Sequence, residues 1–440
     1  GVVNHLTVNH ASAVMRMNDS YTIGNLTITA GQFSTADAGG NSKALTVTGD
    51  VEIENGGTLT GNGSAISMGS LATGLAGAGG TYSATNQTTT ITKYNSSTKA
   101  IYGNGPIIHN GGTFAFTNAE DIGGIAIQLE GGAGSAGTQF NDITFSGDST
   151  YRFPYYGNDI TVSGDITMSG TPDVKQWRRN IIVTGDVDVG SGCVWDCEGS
   201  GVADVSSNFT GGSLTIASGG MFKASSGTTT INLNFRFEDG ANFTHNSGTV
   251  TFAGATDANL EMEGGHSGRK TPTNPLKFHN LTSAKTGNYL NLYVDFTVES
   301  TFTITTDSTY GVSVRQPVYL TMGTTTTQGT IAGPSSGTDN LYFATEATTS
   351  KILAANTDGL YPWIKTGNDW GWSAGNGGTI NLENGDYQTT LNTETGYHGQ
   401  SSPGNNTKTI KLTGDCKFAA VTVGGGDTLD LNEKRVNFGG

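Results

Sequence analysis

Three aspartates that follow glycine in similar segments, Asp148, Asp165 and Asp186, come nearest in this chain to a catalytic spacing. Hydrolysis of a glycosidic bond needs two carboxyl groups roughly 5–10 Å apart. Side chains one turn apart in a coiled β chain lie about 5 Å from each other. Stacked on adjacent turns, these residues would form a column of corner carboxylates, with Asp50 and Asp415 in matching Gly-Asp pairs elsewhere. The pair also has a simpler role, because Asp at a bend accepts hydrogen bonds from nearby backbone N–H groups. The bend role is the expected one and hydrolysis the lesser alternative. A carboxylate column would repel itself and so attract Ca²⁺, but the glycine-rich nonapeptide that binds calcium in β-rolls is absent. No resident cofactor and no metal ligand set is expected.

Aromatic rings are the second feature with chemistry in them. Tyr151-Arg152-Phe153-Pro154-Tyr155-Tyr156 and the later Trp177-Arg178-Arg179 have the Tyr, Trp and Arg composition that interfaces favour. Subunit contact is expected at Tyr155, Tyr156 and Trp177, ahead of sugar binding. The C-terminal part holds Tyr361-Pro362-Trp363 and Trp370-Gly371-Trp372, with Tyr387, Tyr397 and His398 nearby. Exposed rings stack on sugar faces, whereas buried rings close the end of a coil. Tyr361, Trp363, Trp370 and Trp372 are therefore read as a cap or subunit contact, with glycan binding as the alternative.

His266 and Arg269 share a glycine-flanked loop, but the sequence places no carboxylate beside them. Cys193 and Cys197 are four residues apart and Cys416 is remote, an odd count that gives no disulfide framework and too few ligands for zinc. Buried thiols are expected, with a Cys193–Cys197 disulfide as the oxidised alternative. No nucleophile elbow, phosphate loop, His-Glu-x-x-His or dinucleotide fingerprint occurs, and no catalytic residue is assigned.

The elements that must position these residues announce themselves by repetition. Asn141-Asp142-Ile143-Thr144-Phe145-Ser146-Gly147-Asp148 returns as Asn158-Asp159-Ile160-Thr161-Val162-Ser163-Gly164-Asp165, and more loosely as Asn180-Ile181-Ile182-Val183-Thr184-Gly185-Asp186. The offsets are 165 − 148 = 17 and 186 − 165 = 21 residues, a period near 20 that points to a solenoid. Short alternating runs bounded by Gly, Asn and Asp recur, among them Leu45-Thr46-Val47, Ser213-Leu214-Thr215-Ile216, Thr249-Val250-Thr251-Phe252 and Thr409-Ile410-Lys411-Leu412. No segment has the sustained 3.6 spacing and caps of a helix. The predicted class is all-β, a right-handed parallel β-helix with a less regular β-rich C-terminal part. The competing class is an antiparallel β-sandwich array, favoured by Asn-Gly pairs at Asn55, Asn62, Asn104, Asn110, Asn376 and Asn384, which are hairpin signals. At about 20 residues per turn the chain would make roughly 22 turns. Charge and two prolines gather in residues 266–280, and most tryptophans lie after residue 358. Three segments are expected: solenoid repeats over 1–265, a β-rich continuation over 266–357, and an aromatic-rich segment over 358–440.

Composition agrees with this class. Glycine is 67 of 440 residues and only 13% are charged, roughly half the ordinary fraction. With 22 basic against 37 acidic residues, the net charge of −15 is a poor match for nucleic acid or an anionic membrane. No apolar run approaches the roughly 18 residues of a membrane helix. The start, Gly1-Val2-Val3-Asn4-His5, shows no secretory leader and no initiator Met, which fits a processed or partial product.

The segments Asn25–Gly61 (NLTITAGQF…LTVTGDVEIENGGTLTG), Leu276–Thr306 and Lys408–Gly440 share the pattern hydrophobic-Thr-hydrophobic-Thr-Gly-Asp-hydrophobic. In this they resemble the degenerate β-strand repeats of phage structural proteins, and also repeats in secreted bacterial surface proteins. The resemblance implies a virion component: a fibre, a tailspike or a capsid-surface appendage. Such a protein would sit on the virion surface as a homo-oligomer, plausibly a trimer, among other virion proteins. Two alternatives stand beside this non-enzymatic structural role. One is a tailspike that binds or cleaves host surface polysaccharide; the other is an adhesin or surface-layer protein of a bacterial cell surface. The resemblance carries over no catalytic residue.

Overall fold

One inward and one outward side chain in alternation, three or four residues at a time, build the fold. In strand Ile160–Val162, Ile160 and Val162 are buried and Thr161 faces outward. A bend at Ser163-Gly164-Asp165 leads to strand Ile166–Met168, and a second bend through Gly170 (φ 84°) leads to strand Asp173–Lys175. These three strands are the walls of one turn. Strands Ile181–Val183, Val187–Val189 and Val194–Asp196 repeat them on the next turn, parallel and in register. Ile160 pairs with Ile181, Ile166 with Val187, and Val174 with Trp195.

The computed structural model describes residues 3–74, 79–93, 99–117, 125–129, 139–153, 158–177, 179–198, 208–264, 266–305, 311–327 and 329–332. Beyond these it describes 341–343, 351–354, 363–365, 370–371, 379–382, 385–392, 409–412, 414–423 and 428–438. Among the described residues there are 45 strands and no helix. The chain is a parallel β-solenoid of about 12 turns, divided into two compact units. The first comprises residues 1–212 and 219–225, the second 213–218 and 226–440. The stretch 266–280 lies inside the second unit, where it lengthens one turn; strand pairing continues past it, with Thr249 opposite Asn280. In the same unit strand Trp363–Lys365 pairs with Thr330–Ala332, and strand Trp370–Gly371 with Leu391 and Asn392, again in parallel.

Two expectations are corrected by this register. The turn count is about 12 rather than roughly 22, because many turns carry insertions. Ile160 to Ile181 spans 181 − 160 = 21 residues, but Ile181 to Phe209 spans 209 − 181 = 28 and Thr249 to Asn280 spans 280 − 249 = 31. The two octapeptide copies also do not lie on adjacent turns. Ile143 pairs with Ile166, not with Ile160, so the copies open two different walls of the coil. The offset that measures a turn is the looser one, from Asp165 to Asp186. The antiparallel array is not formed. Asn62 (φ 50°) and Asn110 (φ 51°) take up the left-handed conformation at bends between walls, where the Asn-Gly pair turns the chain without folding it back as a hairpin.

Inside each unit the inward residues stack from turn to turn. In the first, Phe116 lies on Phe145 with ring centroids 5.2 Å apart, Phe145 meets Tyr151 at 4.9 Å and Phe153 at 5.9 Å, and Trp195 stacks on Phe222 at 6.3 Å. In the second, Phe235, Phe243, Phe278, Phe296 and Phe302 form a similar chain of ring contacts at 5.3–6.3 Å. Each buried ring is worth roughly 1.5–3 kcal/mol of hydrophobic burial, with about 0.5–1.5 kcal/mol more for a well-placed pair. Phe145→Ala, which removes a ring touching three others, is expected to destabilise the protein by about 3–5 kcal/mol in equilibrium denaturation.

Candidate functional site

The corner aspartates are the first residues to place. Asp142, Asp165 and Asp186 form the column that the register allows. Asp142 Oδ1 accepts the backbone N–H of Asp165 at 3.0 Å, and Asp165 Oδ1 accepts that of Asp186 at 2.8 Å. Asp148 does not belong to it; it is exposed at the bend before strand Thr150–Arg152. The expected Asp148–Asp165–Asp186 column is thus corrected to begin at Asp142, since the octapeptide copies lie on different walls. A second corner carries the same device, with Asp159 Oδ1 accepting the N–H of Asn180 and Asn180 Oδ1 that of Asn208, both at 3.0 Å. The N–H of Asp50 is held by Asn25 Oδ1 at 2.9 Å, while Asp50 Oδ1 accepts the Ser70 hydroxyl, also at 2.9 Å. Asp415 Oδ1 takes the N–H of Arg435 at 2.9 Å. Amide and carboxylate oxygens are interchangeable in this role, which is one of hydrogen-bond acceptance rather than proton transfer.

The glycine in the Gly-Asp pair has a steric reason. A Cβ on Gly164 would stand 2.0 Å from Asp142 Oδ1, and one on Gly185 would stand 2.2 Å from Asp165 Oδ1. Neither glycine has a positive φ, so both are required for space rather than for backbone conformation.

Of the aromatic candidates, Trp177 is half-buried, and the Arg152 guanidinium carbon lies 5.7 Å from its ring centroid. Tyr155, Tyr156, Tyr361 and Trp372 lie outside the described residues. Trp363 and Trp370 are described in their strand backbone only. Cys193, Trp195 and Cys197 alternate inward along one strand, which accounts for the spacing of the two cysteines without a metal. All three cysteines are buried free thiols, and burial pushes Cys193 and Cys197 above the ordinary thiol range.

The second unit contains two clusters, each built on a residue or loop flanking its strands. The segment joining strand Ala258–Met262 to strand Lys277–Phe278 folds over the wall and roofs a cleft of about 220 Å³ lined by Pro272, Leu276, Asp295, Phe296 and Tyr319. Arg269 fastens it. Its guanidinium carbon lies 3.4 Å from the Tyr319 ring centroid, and its Nε donates to Asp295 Oδ2 at 2.7 Å. Thr271 Oγ1 donates to the same oxygen at 2.5 Å, and Asp295 Oδ1 accepts the N–H of Tyr319 at 2.7 Å. Asp295 is therefore saturated, and its carboxylate serves to hold the roof. His266 stacks on Tyr293 at 3.9 Å and meets Glu261 Oε2 at 2.9 Å. The sequence identified His266 and Arg269 but neither carboxylate partner. An aspartate inside the apolar run Leu292-Tyr293-Val294-Asp295-Phe296 was the available signal.

The other cluster is a column of His245, His279 and Glu299, whose nearest ligand-type atoms all lie within 4.8 Å of one another. His245 Nε2 is 3.2 Å from Glu299 Oε2, and the two imidazoles stack with centroids 5.7 Å apart. Burial holds His245 below the ordinary histidine pKa, opposed by the Glu299 carboxylate and reinforced by His279 and Lys277. None of these three residues stood out in the sequence, because they are separated by 279 − 245 = 34 and 299 − 279 = 20 residues and carry no local motif.

The acceptor role of the corner aspartates has a direct test. Asp165→Asn keeps the carbonyl-type oxygen and should leave the thermal unfolding midpoint unchanged, whereas Asp165→Ala should lower it. Arg269→Ala, which leaves Asp295 without its cation, should cost about 1.5–3 kcal/mol and open residues 263–276 to limited proteolysis before the walls are cut. No protein-family model matches the chain, and no curated protein or solved structure matches it either, so its own residues are the basis for assigning it a function.

Proposed function

We propose that this protein is a non-enzymatic structural component whose work is mechanical, and that it serves as a surface appendage of a virus particle assembled from several copies of the chain. The observation that carries the first part is the use to which its corner polar groups are put. Asp142, Asp165, Asp159, Asn180 and Asn25 each turn an oxygen onto a backbone N–H of the following turn. Their chemistry goes into continuity from turn to turn. Asp295, the carboxylate at the cleft, is likewise bound by Arg269, Thr271 and the Tyr319 N–H. A carboxylate so occupied is a poor general base, since its lone pairs already face donors.

The virion assignment rests on the resemblance of residues 25–61, 276–306 and 408–440 to phage strand repeats. Assembly with other copies follows from the same resemblance and from the Arg152–Trp177 pair on the outer surface of the first unit. Two measurements test the proposal. Incubation with a panel of bacterial surface polysaccharides should release no shortened product, and antibodies against the chain should decorate intact particles purified from its source. Depolymerisation that is abolished by a single Asp or Glu substitution would contradict the mechanical role. Labelling confined to cell envelopes would contradict the virion assignment.

A further inference from the structure

The column of His245, His279 and Glu299 is not absorbed by the mechanical role, and its donor set is specific. We propose that these three residues bind one divalent transition-metal ion of the zinc class across successive turns of the second unit.

Strand register brings the ligands together. Lys277 and Phe278 pair with Thr297 and Val298, which sets His279 level with Glu299 just beyond the strand ends. The backbone bonds from Glu299 N to Phe278 O at 2.8 Å and from Ser300 N to His279 O at 2.9 Å continue that register through both residues. His245 follows strand Asn242–Thr244, whose Phe243 packs on Phe278 at 5.3 Å and so fixes it beside His279. A tight turn then aims the imidazole. Asn246 (φ 46°) and Ser247 (φ 60°) are both left-handed, and Gly248 N donates to His245 O at 2.9 Å.

The distances suit an ion that needs small adjustments to close the site. Nitrogen and oxygen donors lie about 2.0–2.2 Å from zinc, so neighbouring donors in a tetrahedral shell are roughly 3.3–3.5 Å apart. His245 Nε2 and Glu299 Oε2 stand at 3.2 Å already, and a 4.8 Å limit on the whole group leaves the third donor a shift of on the order of 1 Å. Two imidazole nitrogens with one carboxylate oxygen favour zinc, nickel, cobalt or copper, whereas calcium and magnesium take oxygen ligands. The side chains of His245 and Glu299 are 20% and 24% exposed, so one side of the site is open for a water ligand.

The protonation states are compatible with binding. The Ser247 N–H donates to His245 Nδ1 at 2.9 Å, so the neutral ring carries its proton on Nε2 and directs it at Glu299. Metal binding at Nε2 moves that proton to Nδ1, with no net change in the charge of the ring. The Ser247 N–H is exposed and passes to water. The depressed pKa of His245 keeps the ring in its ligand form near neutrality. Lys277 Nζ, 3.9 Å from Glu299 Oε1 and half exposed, is the cation that the ion would replace, and its stem is free to swing outward.

The test uses the untagged full chain after treatment with a chelator. Titration with Zn²⁺ followed by calorimetry should give one site. Co²⁺ in its place should give the visible absorption of a four-coordinate ion, and Ca²⁺ should give neither signal. His279→Ala and Glu299→Gln should each weaken Zn²⁺ binding at least about tenfold and abolish the Co²⁺ spectrum. Without metal, their circular dichroism should match that of the parent chain. Zn²⁺ should raise the thermal midpoint of the parent chain and not of the variants. Absence of Zn²⁺ and Co²⁺ binding, or binding of unchanged affinity in both variants, would overturn the proposal.

Discussion

A parallel β-coil must connect its turns at the corners, where the strand ladder is interrupted and backbone N–H groups lose their partners. Here a side-chain oxygen from the turn below fills the gap. Asp142 reaches the N–H of Asp165, and Asp165 that of Asp186. That reach is possible only because Gly164 and Gly185 leave vacant the space a Cβ would occupy, 2.0 and 2.2 Å from the incoming oxygens. An unpaired buried or half-buried N–H costs about as much as a lost hydrogen bond. The Gly-Asp pair therefore joins two functions in two residues. The glycine admits the oxygen from below, and the aspartate sends one upward. Register follows from this, because a slip by one residue would put a side chain where the oxygen must pass.

That rule explains how much of the fold is legible in the chain. Alternation in segments such as Ile160-Thr161-Val162 marks strands with one dry face, and the recurrence of Gly-Asp marks the corners. The parallel solenoid class follows from those two signals. Local similarity does not distinguish a step between walls from a step between turns, however, since both begin with the same oxygen-donating residue. The octapeptide copies at 141–148 and 158–165 open with Asp142 and Asp159, which are ladder residues of two different corners. Similarity therefore misassigned Asp148, and insertions within turns, which leave the register intact, hid the true number of turns.

The sites are less legible for the same reason. A solenoid brings together residues that are a turn apart, and a turn here is 21 residues in one place and 31 in another. The sequence shows that His266 and Arg269 are unusual in their loop but not that Glu261 and Asp295 await them. It gives no sign that His245, His279 and Glu299 share a column, because only the pairing of Phe278 with Val298 aligns them. Conversely, the cysteine pair that looked like half a metal site is explained by period-2 alternation around the buried Trp195. Spacing within a strand informs about the core, and spacing between turns informs about the surface only once the register is known.

The most direct test of this account is a double-mutant cycle on Asp142 and Gly164, measured by equilibrium unfolding. Gly164→Ala places its new methyl against the Asp142 carboxylate, with the nearest backbone atom farther away, Asn141 O at 2.9 Å. Alone it should destabilise the protein by about 1–3 kcal/mol, as overpacking does. In an Asp142→Ala background the same substitution should cost clearly less, giving a coupling of about 0.5–3 kcal/mol. Additive effects, within about 0.3–0.5 kcal/mol, would contradict the claim that glycine is present at these corners to admit the oxygen of the turn below.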